Sequence, residues 1–76
     1  MADREWLKRI KIDPAVHGGD PCIAGTRVPV SVIVGSVAEG ESFDEILANY
    51  PHLTAEDIRA ALRYAAEAVN RFELTG

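Results

Sequence analysis

Three groups of residues in this chain are of types that could do chemistry. The first is His17, Asp20 and Cys22, an imidazole, a carboxylate and a thiol within one short stretch. A nucleophilic cysteine needs a base aimed at its sulfur, and folds usually deliver that base from a distant part of the chain. Close neighbours on a Gly-Gly-Asp-Pro turn have neither a pocket nor oxyanion donors around them. These residue types fit better as a small buried thiol and an exposed or capping imidazole. Cys22, His17 and His52 are also the only soft metal ligands and lack finger-type spacing. Neither a metal nor a cofactor is expected, and an enzyme is the last of the functional readings.

The second group runs from Gly19 to Thr26. A phosphate loop of the Walker type needs four residues between its glycines and a lysine before the hydroxyl residue. Here five residues separate Gly19 from Gly25 and no lysine follows. A glycine-permitted turn is the simpler reading.

The third group is cationic. Lys8, Arg9 and Lys11 fall with Arg4 in the first dozen residues, and Arg59 and Arg63 lie one helical turn apart. Two guanidinium groups on one helix face suit phosphate or guanine, and a basic arm can meet phosphate. Lys8, Arg9, Lys11, Arg59 and Arg63 are therefore the candidate DNA contacts. Glu56, Asp57 and Glu67 share the helix and oppose that role. In the blander reading Arg63 and Arg71 pair with Glu67 on a solvated face, each pair worth about 0.2–0.5 kcal/mol. The chain as a whole has 8 Lys and Arg against 12 Asp and Glu, a net charge of −4. Affinity for DNA rests on neutralising phosphate, so this balance does not suit a DNA binder acting alone.

The elements that must position these residues divide the chain in two. Up to Val30 it is rich in glycine, proline and β-branched residues. Ile10 and Ile12 alternate with charged neighbours and predict a short half-buried strand stopped by Pro14. Trp6 and Leu7 before it fit either a helical turn or an extension of that strand. Cys22-Ile23-Ala24 and Arg27-Val28-Pro29-Val30 predict two extended pieces joined by a tight turn at Gly25-Thr26. Pro29 belongs at an edge or a strand end.

From Ser31 onward the pattern is helical. Ser31 is the expected N-cap of a first helix with Ile33, Val34, Val37 and Ala38 on one face, closed by Gly40. Ser42 and Glu45 form a capping box for a second helix, whose apolar face is Phe43, Ile46, Leu47 and Tyr50 and which Pro51 ends. Thr54 opens a third helix with Asp57 at its N3 position, and Leu53 and Ile58 fit a hydrophobic staple. Ile58, Leu62, Ala65, Val69 and Phe72 then form a narrow seam along it. That seam faces either the first two helices or a second chain. The predicted class is α+β and mainly helical: a β-hairpin segment at about 9–30, then a three-helix unit at 31–72 containing a helix-turn-helix.

The 76 residues are room for one domain, 1–76. A domain of this size buries only about 60% of the surface of its unfolded chain. Cys22 is the only cysteine, so no disulfide forms within the chain. Support from a second copy is therefore expected, as a homodimer. No apolar run approaches the roughly 20 residues of a membrane helix, the first residues lack a secretory apolar region, and the free thiol fits a reducing compartment. The expected location is the cytoplasm, away from membranes.

One long motif, Gly18-Gly19-Asp20-Pro21-Cys22-Ile23-Ala24-Gly25-Thr26-Arg27-Val28-Pro29-Val30, resembles the glycine-rich signature of the bacterial and archaeal domain-of-unknown-function family 433 (DUF433). So does Tyr50-Pro51-His52-Leu53-Thr54 with Asp57-Ile58-Arg59-Ala60-Ala61-Leu62-Arg63-Tyr64-Ala65. The resemblance runs from about Arg9 to Ala66. It implies a homeodomain-like three-helix unit and the role of a VapB-type antitoxin in a toxin–antitoxin pair, with a small PIN-like ribonuclease as toxin. Contact with operator DNA, as a dimer or as part of the toxin complex, is expected beside that role. Family members often carry basic residues near Asp20 and Ala24. Their loss here weakens a DNA-contact role for the hairpin. Thr26 and Arg27 are kept and become the candidate partner-binding residues. A guanidinium at that turn could pair with the carboxylates of a nuclease site, or tie down a helix end within its own domain. The rival readings are a stand-alone helix-turn-helix transcriptional regulator and a non-catalytic dimerisation module.

Overall fold

The computed structural model describes residues 4–71. Phe72, the last residue of the expected seam, lies outside them. The chain begins with a 3-10 segment, Glu5–Arg9, the helical turn that Trp6 and Leu7 allowed. It leads directly into β1, Ile10–Ile12, and a second 3-10 turn at His17–Gly19 precedes β2, Pro21–Ile23. The two strands pair antiparallel, with Ile10 opposite Ile23, Lys11 opposite Cys22 and Ile12 opposite Pro21. Pro21 opens its strand, a position that tolerates a residue without an N–H.

The hairpin expected between Cys22 and Val30 is reduced to its turn. The Thr26 N–H donates to the Ile23 carbonyl at 3.0 Å, and the Ile23 N–H donates to the Val28 carbonyl at 2.9 Å. Beyond that only a single bridge, Cys22 with Pro29, forms. Pro29 has no N–H to extend a ladder, and the chain turns helical at the next residue. β2 finds its regular partner in β1 instead, and the Ala24 N–H prolongs that pairing by donating to the Arg9 carbonyl at 2.7 Å. Gly25 has a φ of 80°, as the third position of a type II turn requires.

α1 spans Val30–Ala38. Its N-cap is Pro29 and not Ser31: the Pro29 carbonyl accepts from Val32 at 3.1 Å and Ile33 at 3.5 Å, and no side chain caps the helix. The fixed φ of proline lets the helix start one residue before the hydroxyl that sequence reasoning favoured. Its far end is a Schellman motif. The Glu41 N–H donates to the Ser36 carbonyl and the Gly40 N–H to the Val37 carbonyl, with Gly40 at a φ of 94°.

α2, Phe43–Asn49, has the expected capping box: the Ser42 N–H donates to Glu45 Oε1 at 2.7 Å and the Glu45 N–H donates to Ser42 Oγ at 3.1 Å. α3, Ala55–Arg71, opens with a second one. The Thr54 N–H donates to Asp57 Oδ2 at 3.0 Å, and the Asp57 N–H donates to Thr54 Oγ1 at 3.2 Å.

The core gathers Ile33 from α1, Ile46 from α2, Ile58 and Ala61 from α3 and Ile23 from β2, all fully buried, with Val30 and Leu53 beside them. The fold is thus α+β and mainly helical, three helices and a two-stranded antiparallel sheet around one core. The α3 seam is buried only at its start. Ile58 is buried, Leu62 and Ala65 are half-buried, and Val69 is 56% exposed.

Candidate functional site

All seven candidate residues line one of two concavities. The first is a groove of about 390 Å³ between the N-terminal 3-10 segment and α3. Lys8 and Arg9 reach it from one side, with Glu5 and Trp6, and Arg59 and Arg63 from the other, with Glu56. The segment lies along α3 and is tied at both ends, Arg4 to Glu67 at 3.6 Å and Arg9 to Asp57 at 3.0 Å.

Most of these cations already have a counter-charge. Lys8 pairs with Glu5 at 3.3 Å and Arg59 with Glu56 at 3.1 Å, both in the open. Arg59 also lies over the Phe43 ring, 5.7 Å from its centre. Arg9 is committed to Asp57, which is nearly buried and is also the N3 residue of the α3 cap. Among the described residues, Arg63 has no carboxylate within ion-pair distance.

The second concavity, about 300 Å³, is walled by Asp13 and Val16 on one side and by Gly25, Thr26 and Arg27 on the other, with Lys11 and Cys22 between. Lys11 therefore groups with Thr26 and Arg27, not with the arm residues beside it in sequence. Lys8 and Arg9 belong to the 3-10 segment packed along α3, whereas Lys11 lies in β1 opposite Cys22. Cys22 is buried, its thiol 3.5 Å from the Asp20 carbonyl, as a structural thiol would be.

Thr26 and Arg27 play different parts. The Thr26 hydroxyl donates to the Ile23 carbonyl at 2.8 Å and accepts from the Val28 N–H at 3.0 Å, so it is fully used in the turn. The Arg27 carbonyl accepts from His17 Nε2 at 3.1 Å, a link between the two walls that sequence spacing does not show. His17 adopts a φ of 50° to make it. Asp13 is turned to the Ala15 N–H at 3.0 Å. Among the described residues, the Arg27 guanidinium and the Lys11 ammonium have no hydrogen-bond or ion-pair partner.

Sequence reasoning missed the Arg9–Asp57 tie and the place of Trp6 in the first groove. Nothing in local spacing signals a contact between residues 48 positions apart.

A small α+β domain with cation-bearing hollows is the class these features define. No helix among the described residues is long and apolar enough to cross a membrane. The family model described as "Protein of unknown function (DUF433)" matches residues 10–65, and the chain belongs to that family. It is similar to the uncharacterized protein y4eO of Sinorhizobium fredii (strain NBRC 101917 / NGR234), with 48% identity over 52 residues, covering 68% of this chain and 24% of that protein. The chain thus spans about a quarter of the length of that curated relative. It is also similar to the crystal structure of a DUF433 member from Anabaena variabilis ATCC 29413, with a TM-score of 0.76 and 44% identity over 82% of this chain and 61% of that one.

Proposed function

We propose that this protein is an antitoxin that neutralises a PIN-like ribonuclease by seating the Lys11–Arg27 hollow on the acidic, metal-holding site of the enzyme. The observation that carries this reading is the guanidinium of Arg27. It stands without a counter-charge among the described residues, on a turn held by Thr26 and His17. A rigid backbone presenting an unpaired arginine suits bidentate pairing with a carboxylate, and carboxylate clusters are what hold divalent metal in such nucleases. The alternative for Arg27 is that it ties down a helix end of its own domain. Under this reading the protein works as a homodimer in the cytoplasm.

A second reading has its own observation. α2, the turn at Tyr50 and α3 follow one another as in a helix-turn-helix, and Arg59 and Arg63 are exposed on α3. This favours operator DNA as a further partner of a homeodomain-like unit. The internal pairing of Lys8, Arg9 and Arg59 and the net charge of −4 mean that the toxin in the complex must supply much of the basic surface.

The test is purification of the tagged protein from its own cells with every co-purifying protein counted. A small nuclease at near-equal stoichiometry, lost when Arg27→Ala is made in a folded protein, supports the antitoxin. Recovery of the protein alone, with salt-dependent retardation of promoter DNA, replaces it with the stand-alone regulator.

A further inference from the structure

The groove between the N-terminal segment and α3 holds cations of two kinds. Arg9 is fixed, because the Asp57 it faces is 8% exposed and bound to Thr54 as well. Lys8 and Arg59 are held by Glu5 and Glu56 in pairs whose four side chains are all more than half exposed. Water screens such pairs, and an incoming anion exchanges with them readily. Arg63 has no counter-charge among the described residues. With the Arg9–Asp57 pair set aside, Lys8, Arg59 and Arg63 face Glu5 and Glu56, three cations against two carboxylates and a local charge of +1. Trp6 completes the wall.

These numbers decide what size of anion fits. A duplex-DNA binder commonly neutralises about 6–10 phosphates. Three exchangeable cations, two of them already countered, make no such track, but they suit a single phosphate group. Screening over about 8 Å at physiological salt keeps the acidic remainder of the chain from opposing it. The half-buried indole already carries the Arg4 guanidinium 5.7 Å from its ring centre, so a base stacks on the part of the ring that lines the groove or takes the place of Arg4, a contact that tolerates any sequence.

We infer that this groove binds the phosphate monoester of a nucleotide, with Arg63 as the main phosphate ligand and Trp6 as the base contact. The source is a free nucleoside monophosphate or the 5′-phosphorylated end of a single strand. The site is separate from the Lys11–Arg27 hollow and does not depend on its role.

Trp6 is the only tryptophan, so its emission reports occupancy of the groove. The full chain is titrated with inorganic phosphate, AMP, a short 5′-phosphorylated oligonucleotide, the same strand with a 5′-hydroxyl, and a glutamate-rich peptide. AMP and the 5′-phosphorylated strand are expected to give a saturable change. Arg63→Ala weakens it about ten-fold or more, as loss of a charge-assisted hydrogen bond does. Arg63→Lys keeps part of it, and Arg27→Ala leaves it unchanged. The affinity falls with log salt at a slope no steeper than about −2, the limit for three contacts to a single strand. Tighter binding of the strand than of AMP identifies a strand end, and equal binding a free nucleotide. Arg63 is exposed, so its removal leaves the circular dichroism unchanged and the loss is one of binding. Equal binding of the 5′-hydroxyl strand or of the peptide, full affinity in Arg63→Ala, or no saturable change with any probe would overturn the assignment.

Discussion

The guanidinium of Arg9 lies 3.0 Å from the carboxylate of Asp57, and that carboxylate also accepts from the Thr54 N–H with its other oxygen. One acidic side chain thus closes the cap of α3 and anchors the N-terminal segment.

Arg9→Ala leaves Asp57 with its cap but without its cation. Arg9 is 44% exposed, so solvent screens the pair and the loss is about 1 kcal/mol, well short of the 3–5 of a fully buried pair. In a domain of this size that lowers Tm by about 4–8 °C. Thermal unfolding of Arg9→Ala and Arg9→Lys checks it, with lysine recovering part of the loss. An unchanged Tm in Arg9→Ala would show that the tie contributes nothing.

Thr54→Ala removes the hydroxyl half of the cap and costs about 1 kcal/mol. The Thr54 hydroxyl holds the N–H of Asp57 while Arg9 holds its carboxylate, so the two substitutions loosen the same residue and their effects do not add. A double-mutant cycle read by urea unfolding is expected to give a coupling of about 0.5 kcal/mol or more, where independent sites give less.

Two glycines respond to the same substitution with opposite signs. Gly40→Ala puts a Cβ into open space but at a φ of 94°, so the cost is backbone strain alone, about 1–2 kcal/mol. Gly35→Ala also meets open space, inside α1, and gains about 0.5–1 kcal/mol in helix propensity. Urea midpoints of the two variants should move apart from the parent.

Thr26 and Arg27 separate stability from binding. Thr26→Val loses two hydrogen bonds of the turn and about 1 kcal/mol or more. Arg27→Ala leaves stability within about 0.5 kcal/mol, the range of exposed substitutions, and loses affinity for the acidic partner. Calorimetry of each variant, alone and with the co-purified partner, distinguishes them.

Ile33 is fully buried where the helices meet. Ile33→Ala costs about 2–5 kcal/mol. A core this small supplies no more than about 3–5 kcal/mol, so the variant should be largely unfolded by circular dichroism at growth temperature.

What the sequence made legible was local. Ser42 with Glu45 and Thr54 with Asp57 are capping boxes because their partners lie three residues away, and Gly40 ends α1 because only positive φ closes that helix. The alternation of Ile10 and Ile12 identified β1. What was hidden depended on other parts of the chain. Ser31 has the right chemistry for an N-cap, but Pro29 starts the helix first because the Cys22–Pro29 bridge delivers it there. The partner of β2 is β1 and not the segment after Gly25, since a proline stops the nearer ladder. Of the cations in the first dozen residues, Lys8 and Arg9 meet Arg59 and Arg63, while Lys11 faces the Arg27 turn. The change from 3-10 turn to strand between Arg9 and Ile10 separates them, and spacing alone shows neither that change nor which distant residues lie opposite.

Arg9 joins the sheet through its carbonyl and the helices through its side chain, on the Ala24 N–H and on Asp57. The β segment and the helical segment therefore form one cooperative unit, though their compositions suggest two. Amide exchange in β1 and in the first turn of α3 should slow and quicken together, and neither segment expressed as an isolated fragment should hold its shape.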